Sequence, residues 1–309
     1  MSSNIRTVTD KHLTRFFDYA RERYSILLRR CAGEPAPWTT DPVLSTWRFT
    51  NVFREDDKTT TWFREHIRDP LRHFPRVMVA TIAFRAFNRI ETGELLKPFL
   101  LKEDYNLRAW RETLLEYRGP DMLPLVTGAY IIKTPPNMTK LDGVLWIIEQ
   151  AKLREPQLLQ WHWNTGHADR SQRGLWEIIR KFPYMGDFTA AEVACDLIHT
   201  DILEDANDLM TWTNPGPGCA AGIGLLLHNN LAAYNRHSEK DRAVMMDVMD
   251  VFLQASRRPR YWPEDWPEWN LHTVEFAFCE VSKYLRGLKG LKLKRRYKHG
   301  LVDAEPLRH

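Results

Sequence analysis

Apolar residues recur at helical spacing along most of this chain. From Asp10, read as an N-cap, the residues Leu13, Phe16, Phe17, Ala20, Tyr24, Leu27 and Leu28 trace one face before the break at Gly33 and Pro35. The stretch VMVATIAFRAFNRIETG, 77–93, predicts a second helix with Gly93 just past its end. The same period predicts helices at about 106–117, 139–154, 169–182, 187–199, 217–230, 239–256 and 270–286. One run, LVTGAYII at 125–132, has strand character, but no second run alternates to pair with it. RRPRYWPEDWPEW, 257–269, is too rich in proline for a helix and predicts an extended loop before the last long helix. The expected fold is therefore all-α, packed by ridges into grooves and not as a symmetric bundle. No internal repeat or low-complexity segment divides it. The expected organisation is one helical domain over 1–286, divisible into two lobes with a hairpin at 181–200, and a basic tail over 287–309.

Composition narrows the partners. Hydrophobic residues make up 43% of the 309, enough for a real core. Net charge is +4, from 44 basic and 40 acidic residues, so nucleic-acid binding would need a local patch and not bulk charge. From Lys283 to Gly300 there are eight Lys or Arg and no acid. This run reads either as a solvated tail or as a phosphate-binding arm, with Lys292, Lys294, Arg295 and Arg296 as the DNA contacts. Cysteines 31, 195, 219 and 279 form no CxxC pair, so neither a zinc site nor a disulfide framework is expected. The polar start MSSNIRTVTDKHL and the lack of any run of eighteen apolar residues predict a soluble, intracellular protein with no membrane partner. Twelve tryptophans are assigned mainly to packing, with one or two free to stack on an extruded base.

Two stretches carry candidate chemistry. The first, KFPYMGDFTAAEVACDL at 181–197, reads as two helices joined by a tight turn at Tyr184, Met185 and Gly186. Main-chain donors around Met185, Gly186 and Phe188 would suit a DNA phosphate, because a helix N-terminus carries partial positive charge. Plain helix packing accounts for the same turn. Beyond it, DANDLMTWTNPGPG places Asp208 close to a Gly/Pro loop, with Asp205 as its rival in the same segment. The segment resembles helix-hairpin-helix DNA glycosylases, in which an aspartate follows the hairpin at a similar distance. That resemblance implies a helix-hairpin-helix DNA glycosylase-like helical fold and a nucleobase in DNA as substrate. The lysine of the glycosylases that form covalent intermediates is absent from PYMGDFTA, so lyase chemistry is not implied.

The second stretch is WRFTNVFREDDKTTTWFREHIRDP, 47–70. Arg48, Asn51 and Arg54 stand three apart and share one face if the segment is helical, with Asp57 and Lys58 following. Two guanidinium groups and an amide suit a pyrophosphate; a surface helix laced by Glu55 and Asp56 fits the same residues. Later, HTVEFAFCEVSKYLRG sets Glu275, Glu280 and Lys283 on a helix, where an acid could hold an incoming amine or simply pair locally. Cys279 in that helix has no adjacent His and is not expected to act as a nucleophile. Asn88, in an otherwise apolar stretch, needs a hydrogen-bond partner, and with Arg89 it is a further candidate for the site. His162, His167 and His228 have no usable ligand spacing and are read as structural.

Taken in order, WRFTNVFREDDKTTTWF, VATIAFRAFNRIET, TGAYII, the hairpin, NPGPGCAAGIGLLL and WNLHTVEFAFCEVSKYLRG resemble the alpha-glutamyl/putrescinyl thymine pyrophosphorylase family, over roughly residues 12–288. These phage-encoded amino acid:DNA transferases share their helical domain with 5-hydroxymethyluracil DNA kinases. The resemblance implies an enzyme that displaces pyrophosphate from 5-(pyrophosphoryloxymethyl)uracil in DNA with an amine, forming a hypermodified thymine. A kinase activity is excluded for these residues by the lack of a GxxxxGK[ST] loop. The implied roles are Arg48, Arg54 and Lys58 on the pyrophosphate, Asn51 on its oxygens or the base edge, and Asp208 at the base. Asp57, Asn88, Arg89, Glu275, Glu280 and Lys283 complete the implied substrate site. The implied partners are double-stranded DNA bearing an activated thymine and a small amine or amino acid, in the cytoplasm of an infected bacterial host. No cofactor or resident metal is required, although Mg²⁺ is compatible with the pyrophosphate. A base-excision glycosylase and a non-catalytic DNA-binding module are the competing expectations.

Overall fold

The computed structural model describes residues 8–129, 131–294 and 296. In chain order its helices are α1 (Asp10–Cys31), α2 (Pro42–Thr46), α3 (Lys58–Phe63), α4 (Asp69–Leu71), α5 (Val77–Phe87), α6 (Ile90–Lys102) and α7 (Leu107–Arg118). They continue with α8 (Lys140–Leu153), α9 (Glu155–Asn164), α10 (Gln172–Ile179), α11 (Gly186–Leu197), α12 (Pro217–His228), α13 (Glu239–Ser256) and α14 (Leu271–Leu288). Among the described residues there is no strand, only an isolated antiparallel bridge between Trp47 and Arg296, so the fold is all-α. No described helix is long and apolar enough to cross a membrane. The chain divides into two compact units: one takes the residues up to Asp57 and from Pro215 onward, and the other, inserted between them in sequence, is Lys58–Asn214.

The first unit holds α1, α2 and α12 to α14 around an aromatic core. Phe16 of α1 meets Phe252 of α13 and Phe278 of α14 with ring centroids 4.8 and 4.7 Å apart. The Pro/Trp connector is not an extended loop. It folds through turns that bury Tyr261, Trp262 and Trp269 in this core, and the Trp262 indole N–H donates to the Pro267 carbonyl. α1 begins one residue earlier than expected, with Thr9 in the cap position and Asp10 already helical and bonded to Tyr261. Its buried face is also wider than the expected stripe: Tyr19, Arg23 and Ile26 are buried, while Leu28 is exposed. The basic stretch from 287 does not leave the unit at once. Leu293 is buried in the core, and the Arg296 guanidinium lies 4.8 Å from the centre of the Trp47 ring.

Small residues let α12 and α14 approach closely. A Cβ on Gly222 would lie 2.1 Å from the Phe278 carbonyl oxygen, and one on Gly218 would lie 2.9 Å from the Cys279 sulfur. That is why the apolar stretch GCAAGIGLLL carries glycine within a helix despite glycine's cost there.

In the inserted unit α5 is buried on every side, from Val77 to Phe87, as befits a central helix. It carries one charge, Arg85, whose guanidinium forks onto both carboxylate oxygens of Asp196 from α11 at 2.6 and 2.7 Å. Thr60 and Asn88 each accept one further hydrogen from it. The predicted helix 77–93 stops at Phe87, because Asn88 takes a left-handed conformation with φ 46°, and α6 then begins at Ile90. Gly93 is therefore an interior residue of α6 and not a cap. It is small because the Trp62 ring crosses it, 2.4 Å from where a Cβ would be.

The tight helix contact gives a direct test. Gly222→Ala is expected to destabilise the protein by roughly 3 kcal/mol, since the clash is with backbone and cannot relax by a rotamer change. Urea denaturation followed by circular dichroism measures it.

Candidate functional site

The segment from Trp47 to Asp57 is not the helix that the spacing of Arg48, Asn51 and Arg54 predicts. Trp47 (φ −114°, ψ 145°) and Phe53 (φ −97°, ψ 131°) are extended, and only Arg54–Asp56 forms a short 3-10 turn. Arg48, Asn51 and Arg54 therefore share no helical face. Phe49 and Val52 are buried anchors that hold this irregular stretch against the first unit, and its polar backbone groups must then find partners that no helix ladder supplies. Side chains supply them.

Arg23, on α1, is the main clamp. Its Nε donates to the Thr50 carbonyl at 2.8 Å, and its Nη2 donates to Asn51 Oδ1 at 2.6 Å and reaches the Phe49 carbonyl at 3.4 Å. From α14, Glu280 accepts the Thr50 N–H at 3.1 Å. The Asn51 amide donates to the Asp56 carbonyl at 2.6 Å, and the Asn51 N–H donates to Asp57 at 2.9 Å. Lys283 bonds the Arg48 carbonyl, lies 4.3 Å from the Phe49 ring centre and pairs with Glu280 at 3.4 Å. Thus Asn51, Asp57, Glu280, Lys283 and the Arg48 backbone come together, with Arg54 buried beside them. The Arg48 side chain faces solvent.

The electrostatics of the cluster centre on Asp57. Burial pushes its carboxyl up to about 7; the Asn51 N–H and the charges of Arg23 and Arg54 oppose that shift, and the charge of Glu280 adds to it. Tyr19 lies one helical turn before Arg23 and packs on Phe49 and Tyr284, with centroids 5.9 and 4.9 Å away. Burial and the nearby Glu280 hold its phenol far above the usual range, so it remains a donor. Neither Tyr19 nor Arg23 was expected at the site. The signal was present, since Arg23 has Tyr19, Ala20, Ile26 and Leu27 at its i±3 and i±4 positions and no acid on its own face.

The other candidates stand elsewhere. Glu275, a turn and more before Glu280, accepts the Gly216 N–H at 2.9 Å and the Cys279 thiol at 3.5 Å. Burial and Glu275 push the Cys279 thiol well up, which keeps it protonated and unreactive. Lys58, Asn88, Arg89, Asp208 and the hairpin residues belong to the inserted unit. Lys58 is exposed at the start of α3, Asn88 accepts from Arg85, and Arg89 pairs with Glu91 at 3.1 Å. Asp208 is buried and caps α10: its two oxygens accept the N–H groups of Gln172 and Arg173 at 2.7 and 2.9 Å. Its surroundings are those of a structural carboxylate, and its rival Asp205 is exposed, 3.8 Å from His167.

The hairpin turn runs between α10 and α11, with Tyr184 and Gly186 at positive φ of 63° and 58°. Met185 does not serve as the expected phosphate donor, because its side chain is buried and its N–H donates to the Phe182 carbonyl at 3.1 Å. Gly186 and Phe188 are exposed. Of the basic stretch, Lys292, Lys294 and Arg296 are exposed, and Arg295 lies outside the described residues.

Residues 10–292 match the model of the 5-hmdU DNA kinase helical domain, and the chain belongs to that family. A curated relative, the 5-hmdU DNA kinase of Bacillus phage SP10, is 28% identical over 292 residues, covering 85% of this chain and 43% of that protein. The chain thus spans less than half the length of that relative. No solved structure matches it.

The raised Asp57 carboxyl fixes the sign of a pH effect. Asp57 ionises near 7 in the folded chain and near its ordinary value of 3.8 when unfolded, so between these values only the folded chain keeps the proton. This contribution to stability is therefore full below about 4 and is lost as pH rises through 7. Asp57→Asn keeps an acceptor for the Asn51 N–H and carries no such proton. Thermal melts should show this variant a few degrees more stable than the parent at pH 8, with the gap closing at pH 4 to 5.

Proposed function

We propose that this chain modifies a thymine-derived base in DNA, exchanging pyrophosphate on an activated 5-methylene for an amine. Two considerations support the reading before the geometry does. The family match names the helical domain of a 5-hmdU DNA kinase, and these residues hold no GxxxxGK[ST] loop.

The observation that carries the proposal is Asp57, a carboxyl poised near neutrality among Arg23, Arg54 and Glu280. An amine nucleophile is protonated in water and must lose a proton before it attacks; an acid that titrates near 7 is well matched to take it. The ammonium N–H gives its proton to the Asp57 carboxylate, and the freed lone pair forms the C–N bond to the base methylene. The C–O bond breaks with its electron pair going to pyrophosphate, and the second amine proton leaves to solvent. Arg54, buried, and Arg48, exposed, are the cations assigned to the departing charge. Asn51 and Arg23 keep the loop that carries them in place.

The test is mass spectrometry of nucleosides after incubating the protein, with and without Mg²⁺, with DNA containing 5-(pyrophosphoryloxymethyl)uracil and a mixture of amino acids and polyamines. The expected result is an amine-linked thymidine with release of pyrophosphate, reduced about a hundredfold or more by Asp57→Asn. An unchanged base would contradict the proposal, and abasic sites would assign the chain to glycosylase chemistry.

A further inference from the structure

One buried cation ties two segments of the inserted unit together. Arg170, at the end of the turn between α9 and α10, is 7% exposed. Its Nη1 donates to the Asp201 carbonyl at 2.9 Å and its Nη2 to the His162 carbonyl at 3.0 Å. Its own carbonyl accepts the Asn207 N–H at 3.0 Å, and the Asn207 side-chain amide donates to the Ala168 carbonyl at 3.2 Å. Arg170 thus clasps the end of α9 and the 165–170 turn to the 200–208 segment, which carries Asp208 to its place on the first turn of α10.

Two histidines stand at this clasp, and both are suited to it only while neutral. Arg170 Nη1 also lies 3.3 Å from His167 Nε2. A guanidinium has no acceptor, so this nitrogen of His167 bears the lone pair, and the ring proton sits on Nδ1, 3.8 Å from Asp205. A proton added to Nε2 turns that acceptor into a donor aimed at a donor. His162 is half-buried, and its Nδ1 is buried with no hydrogen-bond partner, so a cationic ring there has nothing to receive its second proton. Burial first, and then the charges of Arg170 and His167, hold the His162 imidazole below the usual range, with Asp201 opposing them. The Asp201 carboxylate is itself taken by His73 at 3.0 Å, and Arg72 beside it pairs with Glu204 at 3.2 Å. The contribution of a neutral His162 to stability is therefore full above about 6.5 and is lost as pH falls through its lowered value.

We propose that His162 and His167 make the Arg170 clasp a pH-operated latch, which holds the 200–208 segment to the 165–170 turn while both rings are neutral and releases it when they are protonated. Histidine is the side chain whose charge changes between about pH 5 and 8, which sets the working range. A protonated His167 turns to Asp205, an exposed pair that is too weak to replace the clasp. The inference is independent of the transferase reading above.

Hydrogen–deuterium exchange of the full chain at about pH 7.5 and about pH 5.5, corrected for the intrinsic pH dependence of amide exchange, tests the latch. Peptides covering 162–173 and 200–208 should exchange about tenfold faster at the lower pH, while those of α5 stay unchanged. His162→Phe combined with His167→Gln keeps an acceptor for Arg170 and carries no titratable ring, and it should abolish the difference. Equal protection of the two segments at both pH values, a loosening that spreads equally over α5, or a double variant that loosens as much as the parent would overturn the proposal. If the double variant fails to fold, His167→Gln alone, at an exposed position, should reduce the difference severalfold, and no reduction would overturn it.

Discussion

A buried stretch of irregular chain must have its amide and carbonyl groups satisfied by something other than itself, and much of the first unit is arranged around that requirement at residues 47–57. Phe49 and Val52 take the stretch out of water, and Arg23 and Glu280 reach in from α1 and α14 to meet its backbone. Those two helices can do so only because each is fixed from behind. α1 is held by Phe16 and Phe17 in the aromatic core, and α14 by its close contact with the glycine face of α12. The chemistry follows from the same constraint. Packing a loop with charged clamps concentrates acids and bases where water is scarce, and there a carboxyl such as Asp57 moves toward neutrality.

The inserted unit solves a similar problem with a different result. Arg85 and Asp196 are both buried, and the Arg85 guanidinium is matched by Asp196, Thr60 and Asn88. Removing one member would strand a buried charge at a cost of about 3 to 5 kcal/mol. Asp208 is spent in the same manner on the first turn of α10. In the first unit an arginine nitrogen and a threonine hydroxyl remain unpaired beside an acid of altered strength.

Helix periodicity made most of the fold legible. The predicted 106–117, 139–154 and 239–256 lie within a residue or so of α7, α8 and α13, because their apolar stripes and caps such as Thr139 and Ser238 are local signals. The site was legible in its members more than in its form. Asn51, Asp57, Glu280 and Lys283 do converge, but a spacing of three was read as a helix where buried aromatic anchors instead enforce an extended path. Arg23 and Tyr19 were passed over because they lie beside the stripe traced by Phe16, Ala20, Tyr24 and Leu27, and their burial is decided by a segment some 30 residues further on. Gly93 shows the same limit, since what crosses it is Trp62, far away in sequence.

The account stands or falls on the acid at the centre of the cluster, and the most direct measurement is a ¹³C NMR titration of the side-chain carboxyls of aspartate-labelled protein. One resonance should titrate near pH 7, disappear in Asp57→Asn, and shift when pyrophosphate is added. If every aspartate titrates below about 5, Asp57 is an ordinary surface acid, and neither the proton transfer nor the desolvated cluster described here is correct.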